Sequence, residues 1–176
     1  MATTGQAFDN FSGRSNSRLR VAVALDSTDV ANNATKWDFS LRVENVKGSS
    51  ATWSGVQTDY SINIGGQTFS GTTPAGAFDF RDGADYHNIR LGTTGWIAHN
   101  ADGTKTLSFS GRVDDAHIFG DARASGSIVA PRIPRGPRVR VNGVWRNTVA
   151  YVRVGGVWRI AIPYVRQSGT WRVAGG

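Results

Sequence analysis

Cysteine is absent from all 176 residues, which excludes a disulfide scaffold and any thiolate-ligated metal site. No apolar run approaches the roughly 20 residues a membrane helix needs, so membrane insertion is not expected. Met1–Gln6 has no basic head and no apolar stretch, and no signal peptide is expected. Histidine is scarce, at three residues. Asp85-Tyr86-His87 and Asp115-Ala116-His117 offer ligand pairs, but zinc wants four ligands, or three and a water. Nothing at fitting spacing completes either pair, so His87, His99 and His117 read as surface or strand-end residues. Asp79, Asp82 and Asp85 lack the spaced acidic loop and distal Glu that calcium takes, and read as a solvated turn. There is no G-x-S-x-G and no phosphate-cradling loop with its Lys-Ser/Thr. Carboxylates that converge only in space stay open, as they always do from sequence. Nothing recommends them, so the chain is read as non-enzymatic, with no cofactor and no metal.

Acidic residues are missing from the last quarter of the chain. Residues 131–176 hold nine Arg, no Lys and no Asp or Glu, a charge of +9. Residues 1–130 hold 11 Lys and Arg against 13 Asp and Glu, a charge of −2. Such asymmetry points to a division of labour in which the basic part meets an anionic partner.

That basic part is a repeat. Arg138 to Gly176 is one 13-residue phrase written three times, over residues 138–150, 151–163 and 164–176. Trp145, Trp158 and Trp171 share one slot, and Gly143, Gly156 and Gly169 another. Regular repetition of this kind is sought before any other reading. Each phrase encodes a hairpin: an alternating arm, a turn dipeptide (Asn142-Gly143, Gly155-Gly156, Ser168-Gly169), then a second arm. The turn sets Val141 against Val144, and one step back it sets Arg140 against Trp145, Arg153 against Trp158 and Arg166 against Trp171. A guanidinium over an exposed indole is worth about 0.5–1 kcal/mol. Val139, Val141, Val152 and Val154 then form an aliphatic face opposite a ladder of Arg and Trp. A lone hairpin is marginal in water, so the aliphatic face is expected to need cover from elsewhere.

Ahead of the repeats the period is two. Leu19, Val21, Val23 and Leu25 alternate with small or charged residues, as do Trp37, Phe39, Leu41 and Val43. Further strands are expected over Trp53–Ile64, Gln67–Ser70, Phe78–Phe80, His87–Leu91, Gly95–His99, Thr104–Val113 and Asp121–Val129, punctuated by Gly65-Gly66, Asp82-Gly83 and Asp102-Gly103. This pattern predicts an all-β chain: an immunoglobulin-like antiparallel β-sandwich over 18–130, preceded by an N-terminal arm (1–17) that is either extended or an irregular edge. A linker over 131–137 follows, with a proline at every third position that favours a stiff, extended spacer.

Two phrases carry a resemblance. Ala98-His99-Asn100-Ala101-Asp102-Gly103-Thr104-Lys105-Thr106-Leu107 is similar to the turn-and-strand phrase of immunoglobulin-like domains in minor structural and minor tail proteins of long-tailed bacteriophages. The Tyr-Val-Arg-Val-Gly-Gly-Val-Trp-Arg repeats after a Pro/Arg linker resemble the C-terminal ends of such proteins, especially in phages of actinobacteria. The resemblance implies a virion component on the tail tip or a tail fibre, oligomeric, made in the host's cytoplasm, and engaged in assembly and host-surface attachment. It brings no catalytic residues. Expected partners are other virion proteins and further copies of the chain, with a trimer as one arrangement. A cell-wall glycan or anionic polymer is a third partner, since exposed Trp stacks on sugar and Arg pairs with phosphate. Trp53 and Trp96 are the aromatic candidates for surface binding on the sandwich. Nucleic acid is disfavoured, because hairpin geometry alone accounts for the Trp spacing and no nucleic-acid module is matched. The rival readings are a capsid decoration protein, a carbohydrate-binding module and an enzyme acting on cell-wall polymer.

Overall fold

A computed structural model describes residues 3–46, 57–114, 116, 119–133 and 138–173; for residues 14, 15, 138, 144–147 and 173 it describes the backbone only. Among the described residues the regular structure is β throughout, and no helix is long and apolar enough to cross a membrane. The chain divides into two compact units. One comprises residues 1–26, 36–95 and 106–130, the other residues 27–35, 96–105 and 131–176.

The first unit is the sandwich. One sheet has the order β1 (Thr4–Phe11), β2 (Arg14–Asp29), β3 (Ala34–Asn45), β6 (Tyr86–Thr93). The other has the order β5 (Gln67–Thr72), β4 (Asp59–Ile64), β8 (Thr106–Val113), β9 (Ala122–Val129). All these pairings are antiparallel. Period-two patterning decides which side chains turn inward. Leu19 and Val21 from β2, Leu41 and Val43 from β3, Ile62 and Ile64 from β4, and Leu107 and Val113 from β8 are fully buried. The Leu41 side chain packs over Gly111 of β8, where an added Cβ would lie 2.5 Å from Leu41 Cδ1.

Of the two alternatives for residues 1–17 the structure has the irregular edge, and one other expectation changes. β1 is an edge strand that pairs with β2 from Thr4↔Ala24 to Phe11↔Arg14, with a register shift between Asn10 and Phe11. It is also tied to the opposite sheet. The Arg123 amide donates to Asp9 Oδ2 at 2.7 Å, and the Ser12 amide donates to the Asp121 carbonyl at 2.9 Å. An edge strand packed on one side only needs few large apolar residues, so its composition read as an arm. The strand expected over Phe78–Phe80 is a pair of turns instead, with the Ala77 amide donating to the Pro74 carbonyl and the Gly83 amide to the Phe80 carbonyl. Its apolar residues serve as a plug. Phe78 packs against Phe11 and Phe119 with ring centroids 5.7 and 4.9 Å apart, geometry that aromatic pairs favour.

The second unit holds β7 (Ile97–Ala98), which pairs with the first residues of β3 at Ala34↔Ala98 and Thr35↔Ile97. Behind it the 99–104 loop is closed by its own hydrogen bonds. Asp102 Oδ1 accepts from the Thr104 amide at 3.0 Å and from the Thr104 hydroxyl at 2.6 Å, and these bonds hold its carboxyl below the ordinary range. The loop is a dock for the chain that leads to the repeats. The Ile133 amide donates to the Gly103 carbonyl at 2.9 Å, Arg132 Nε donates to the Asp102 carbonyl at 3.0 Å, and the Ile133 side chain is buried. Pro131–Ile133 is thus seated rather than a free spacer, because an isoleucine in an otherwise polar linker has apolar surface to hide. Residues 134–137 of the expected linker lie outside the described residues.

Leu41→Ala removes a fully buried side chain that packs over Gly111. It is expected to cost about 2–5 kcal/mol in urea-induced unfolding, the range for cavities in packed cores.

Candidate functional site

The six C-terminal strands are β10 (Arg138–Val141), β11 (Val144–Asn147), β12 (Ala150–Val154), β13 (Val157–Ala161), β14 (Tyr164–Gln167) and β15 (Thr170–Val173). They form three separate two-stranded sheets. Each turn has both central residues left-handed, with φ of 51° and 83° at Asn142-Gly143, 58° and 83° at Gly155-Gly156, and 50° and 82° at Ser168-Gly169. That is the type I′ turn whose twist matches a tight hairpin, and it explains the choice of dipeptides. Register follows from it: Arg140↔Trp145, Arg153↔Trp158 and Arg166↔Trp171 are cross-strand partners.

One step further from each turn, the faces differ from expectation. Val139 pairs with Arg146, Val152 with Arg159 and Val165 with Arg172. Cross-strand partners share a face. The valine face of every hairpin therefore carries an arginine of its own. Conversely, Tyr151 and Ile160 share the face of Arg153 and Trp158, and Tyr164 shares that of Arg166 and Trp171. Both faces are amphipathic. The signal lies in the sequence, in the third pair from each turn, beyond the two pairs that set the register.

Among the described residues both faces of the ribbons carry exposed apolar side chains. Val139, Val141, Val152, Val154 and Val157 are between 42% and 58% exposed, and Trp158 and Trp171 are each 65% exposed. The arginines are partly immobilised. Arg140 Nε donates to the Gly143 carbonyl at 3.1 Å, and Arg153 Nε donates to the Gly156 carbonyl at 3.2 Å. A carbonyl inside a two-residue turn has no ladder partner, so the nearest donor takes it. The Trp145 side chain is not among those described.

The other candidates are dispersed. Trp96 is about half exposed, in the segment just before β7, and Trp53 lies outside the described residues. His99 is buried: Nδ1 donates to the Gly103 carbonyl at 3.0 Å, and Nε2 lies 3.0 Å from the Thr35 hydroxyl. Its role is to brace the docking loop. Asp79 is held by Arg81 through a side-chain bond of 2.5 Å that lowers its pKa to about 2, and Asp82 lies 3.6 Å from His87. His117 and Asp115 lie outside the described residues. Among the described residues no group of three His, Asp or Glu could hold a metal ion.

The outer face of the β1-β2-β3-β6 sheet carries a feature that sequence reading passed over. A shallow groove of about 790 Å³ runs across it, lined by Gln6, Arg20, Ala22, Ala24, Asp38, Ser40 and Thr93 among others. It exists because outward positions on the two central strands are Ala22, Ala24 and Ser40. Below it Glu44 gathers three guanidinium groups, at 2.8 Å from Arg18, 3.3 Å from Arg20 and 2.7 Å from Arg42. Arg18 also lies over the Phe8 ring at 4.2 Å, and Arg42 over Tyr86 at 4.3 Å.

Two outcomes follow for the isolated chain. Val154→Ala and Trp158→Ala, on uncovered ribbon faces, are expected to change unfolding free energy by less than about 0.5 kcal/mol, as surface substitutions do. Gly103→Ala places a Cβ against the Ile133 carbonyl at a residue with φ of +80°. About 1–3 kcal/mol of local strain is expected, read as faster tryptic cleavage after Arg132. No protein-family model, curated protein or solved structure matches the chain.

Proposed function

We propose that the chain is a non-catalytic structural component of a phage virion, a minor tail, tail-tip or tail-fibre protein. In this reading the C-terminal hairpins join it to the assembly and the sandwich faces outward, toward the host surface. One observation carries it: among the described residues the ribbons expose valine on one face and tyrosine or tryptophan on the other, with arginine in register on each, whereas the sandwich buries its own core. Apolar surface kept out of a core and repeated three times marks a contact surface for another molecule. The two phrases similar to phage minor tail proteins supply the kind of assembly.

The groove on the sandwich favours a second role on the same reading, the holding of a host-surface glycan. Its lining pairs hydrogen-bond donors (Gln6, Arg20, Thr93) with acceptors (Asp38, Ser40), as hydroxyl recognition requires.

A phage carrying the gene truncated after Ala130 is expected to yield particles that lack the protein. Immunoblotting of purified virions checks this, and normal incorporation of the truncated chain would sink the proposal. For the groove, Arg20→Ala is expected to abolish retention of the protein on host cell-wall fragments. Undiminished retention would remove the glycan role.

A further inference from the structure

The register of the hairpins constrains what covers them. Arg140, Arg153 and Arg166 lie on one face, and Arg146, Arg159 and Arg172 on the other. Any molecule that buries either face must accommodate at least one guanidinium per hairpin, and two on the first, where Arg138 shares the face of Arg140. Residues 131–176 contain no Asp or Glu to neutralise them. Stacking the hairpins of two copies would bring like charges together and leave them unpaired in a desolvated interface, which is strongly unfavourable.

The counter-charge therefore comes from outside these segments, and its class can be narrowed. Val139, Val141, Val152, Val154 and Val157 share a face with arginines, and all are about half exposed. A sugar–phosphate polymer or a nucleic acid matches guanidinium groups but offers valine no aliphatic surface to pack on. A protein offers both. The cation is arginine at all nine positions and lysine at none. Guanidinium sheds water more readily than ammonium and grips a carboxylate through two parallel bonds, which makes it the cation of protein interfaces. Tryptophan, tyrosine and arginine are also the residues enriched at interface hot spots, where lysine is depleted.

We infer that the hairpins are enclosed on both faces by a carboxylate-bearing surface of a different protein, each ribbon inserted between acidic patches that are also partly apolar. The inference rests on reading the hairpins as the assembly element, and it names the chemistry of their partner. Three equal ribbons at 13-residue spacing engage it together, so the segment binds more tightly than any one hairpin.

The test uses the full chain and three fluorescein-labelled probes matched in charge: a glutamate–tyrosine copolymer, oligothymidylate and poly(glycerol phosphate). Fluorescence anisotropy at physiological salt gives affinities, and light scattering gives the mass against the 18.9 kDa of one chain. The copolymer is expected to bind at least about tenfold more tightly than either phosphate polymer. Replacing Arg146, Arg159 and Arg172 by Gln, or separately Arg140, Arg153 and Arg166 by Gln, is expected to weaken copolymer binding about tenfold in each case. The same positions changed to Lys keep the charge and the strands, and are expected to lose several-fold through the missing bidentate geometry.

Absence of copolymer binding, or phosphate polymers binding as tightly or more so, overturns the inference. So does a Gln or Lys set on one face that has no effect. A mass of several chains that falls to one chain in the Gln variants overturns it too, by showing that copies cover each other. None of these outcomes touches virion incorporation of the truncated chain, so the inference and the functional reading fail separately.

Discussion

A ribbon of two β-strands has no interior. Whatever side chains it bears, both faces meet solvent until something else covers them, and its backbone ladder alone does not hold it in water. The C-terminal hairpins meet that constraint three times over, with apolar residues about half exposed on each ribbon. Their turns make them ready to be covered: both central residues sit in the left-handed region, and the register is set before any partner arrives. What the hairpins lack is cover and counter-charge. Both shortfalls point away from the hairpins themselves, toward a partner supplying an apolar surface and carboxylates at once.

The sandwich solves the same physical problem internally. Its two sheets turn Leu19, Leu41, Ile62 and Leu107 toward each other, and three phenylalanines from separate parts of the chain fill one end. Outside the core it pairs charge within itself, as the three guanidinium groups around Glu44 do, and exposes only scattered apolar side chains such as Leu91 and Val129. The contrast between a buried core and exposed ribbon faces is the physical basis of the proposal that the two parts have different roles.

The segment between them in sequence has a seat. The loop at 99–104 is braced by Asp102 and by the buried ring of His99, and its Gly103 carbonyl receives the Ile133 amide. Residues 99–104 thus serve as a dock for Ile133. A glycine is required there because a side chain would strike the Ile133 carbonyl. Residues that looked like candidate ligands have the same explanation. His99 braces a loop, and Asp79 is occupied by its neighbour Arg81.

The hairpins were legible from the sequence because everything that defines them is local. A turn dipeptide and the two residues on either side set φ, register and facing pairs, as Arg153 against Trp158 shows. The alternation that buries Leu41 and Ile62 is local in the same way. The partnership of Val152 with Arg159 was equally readable, in the third pair from the turn, and it changes the character of the face. Other features had no local signature. Thr4–Phe11 is a sheet edge because β2 and the start of β9 lie beside it, and Phe78 is a plug because Phe11 and Phe119 arrive from distant positions. The seat of Ile133 on Gly103 and the groove over Ala22 and Ser40 likewise depend on residues brought together only by folding. Backbone preference and side-chain period are properties of a few consecutive residues; which surfaces then meet is decided by packing between segments far apart in the chain.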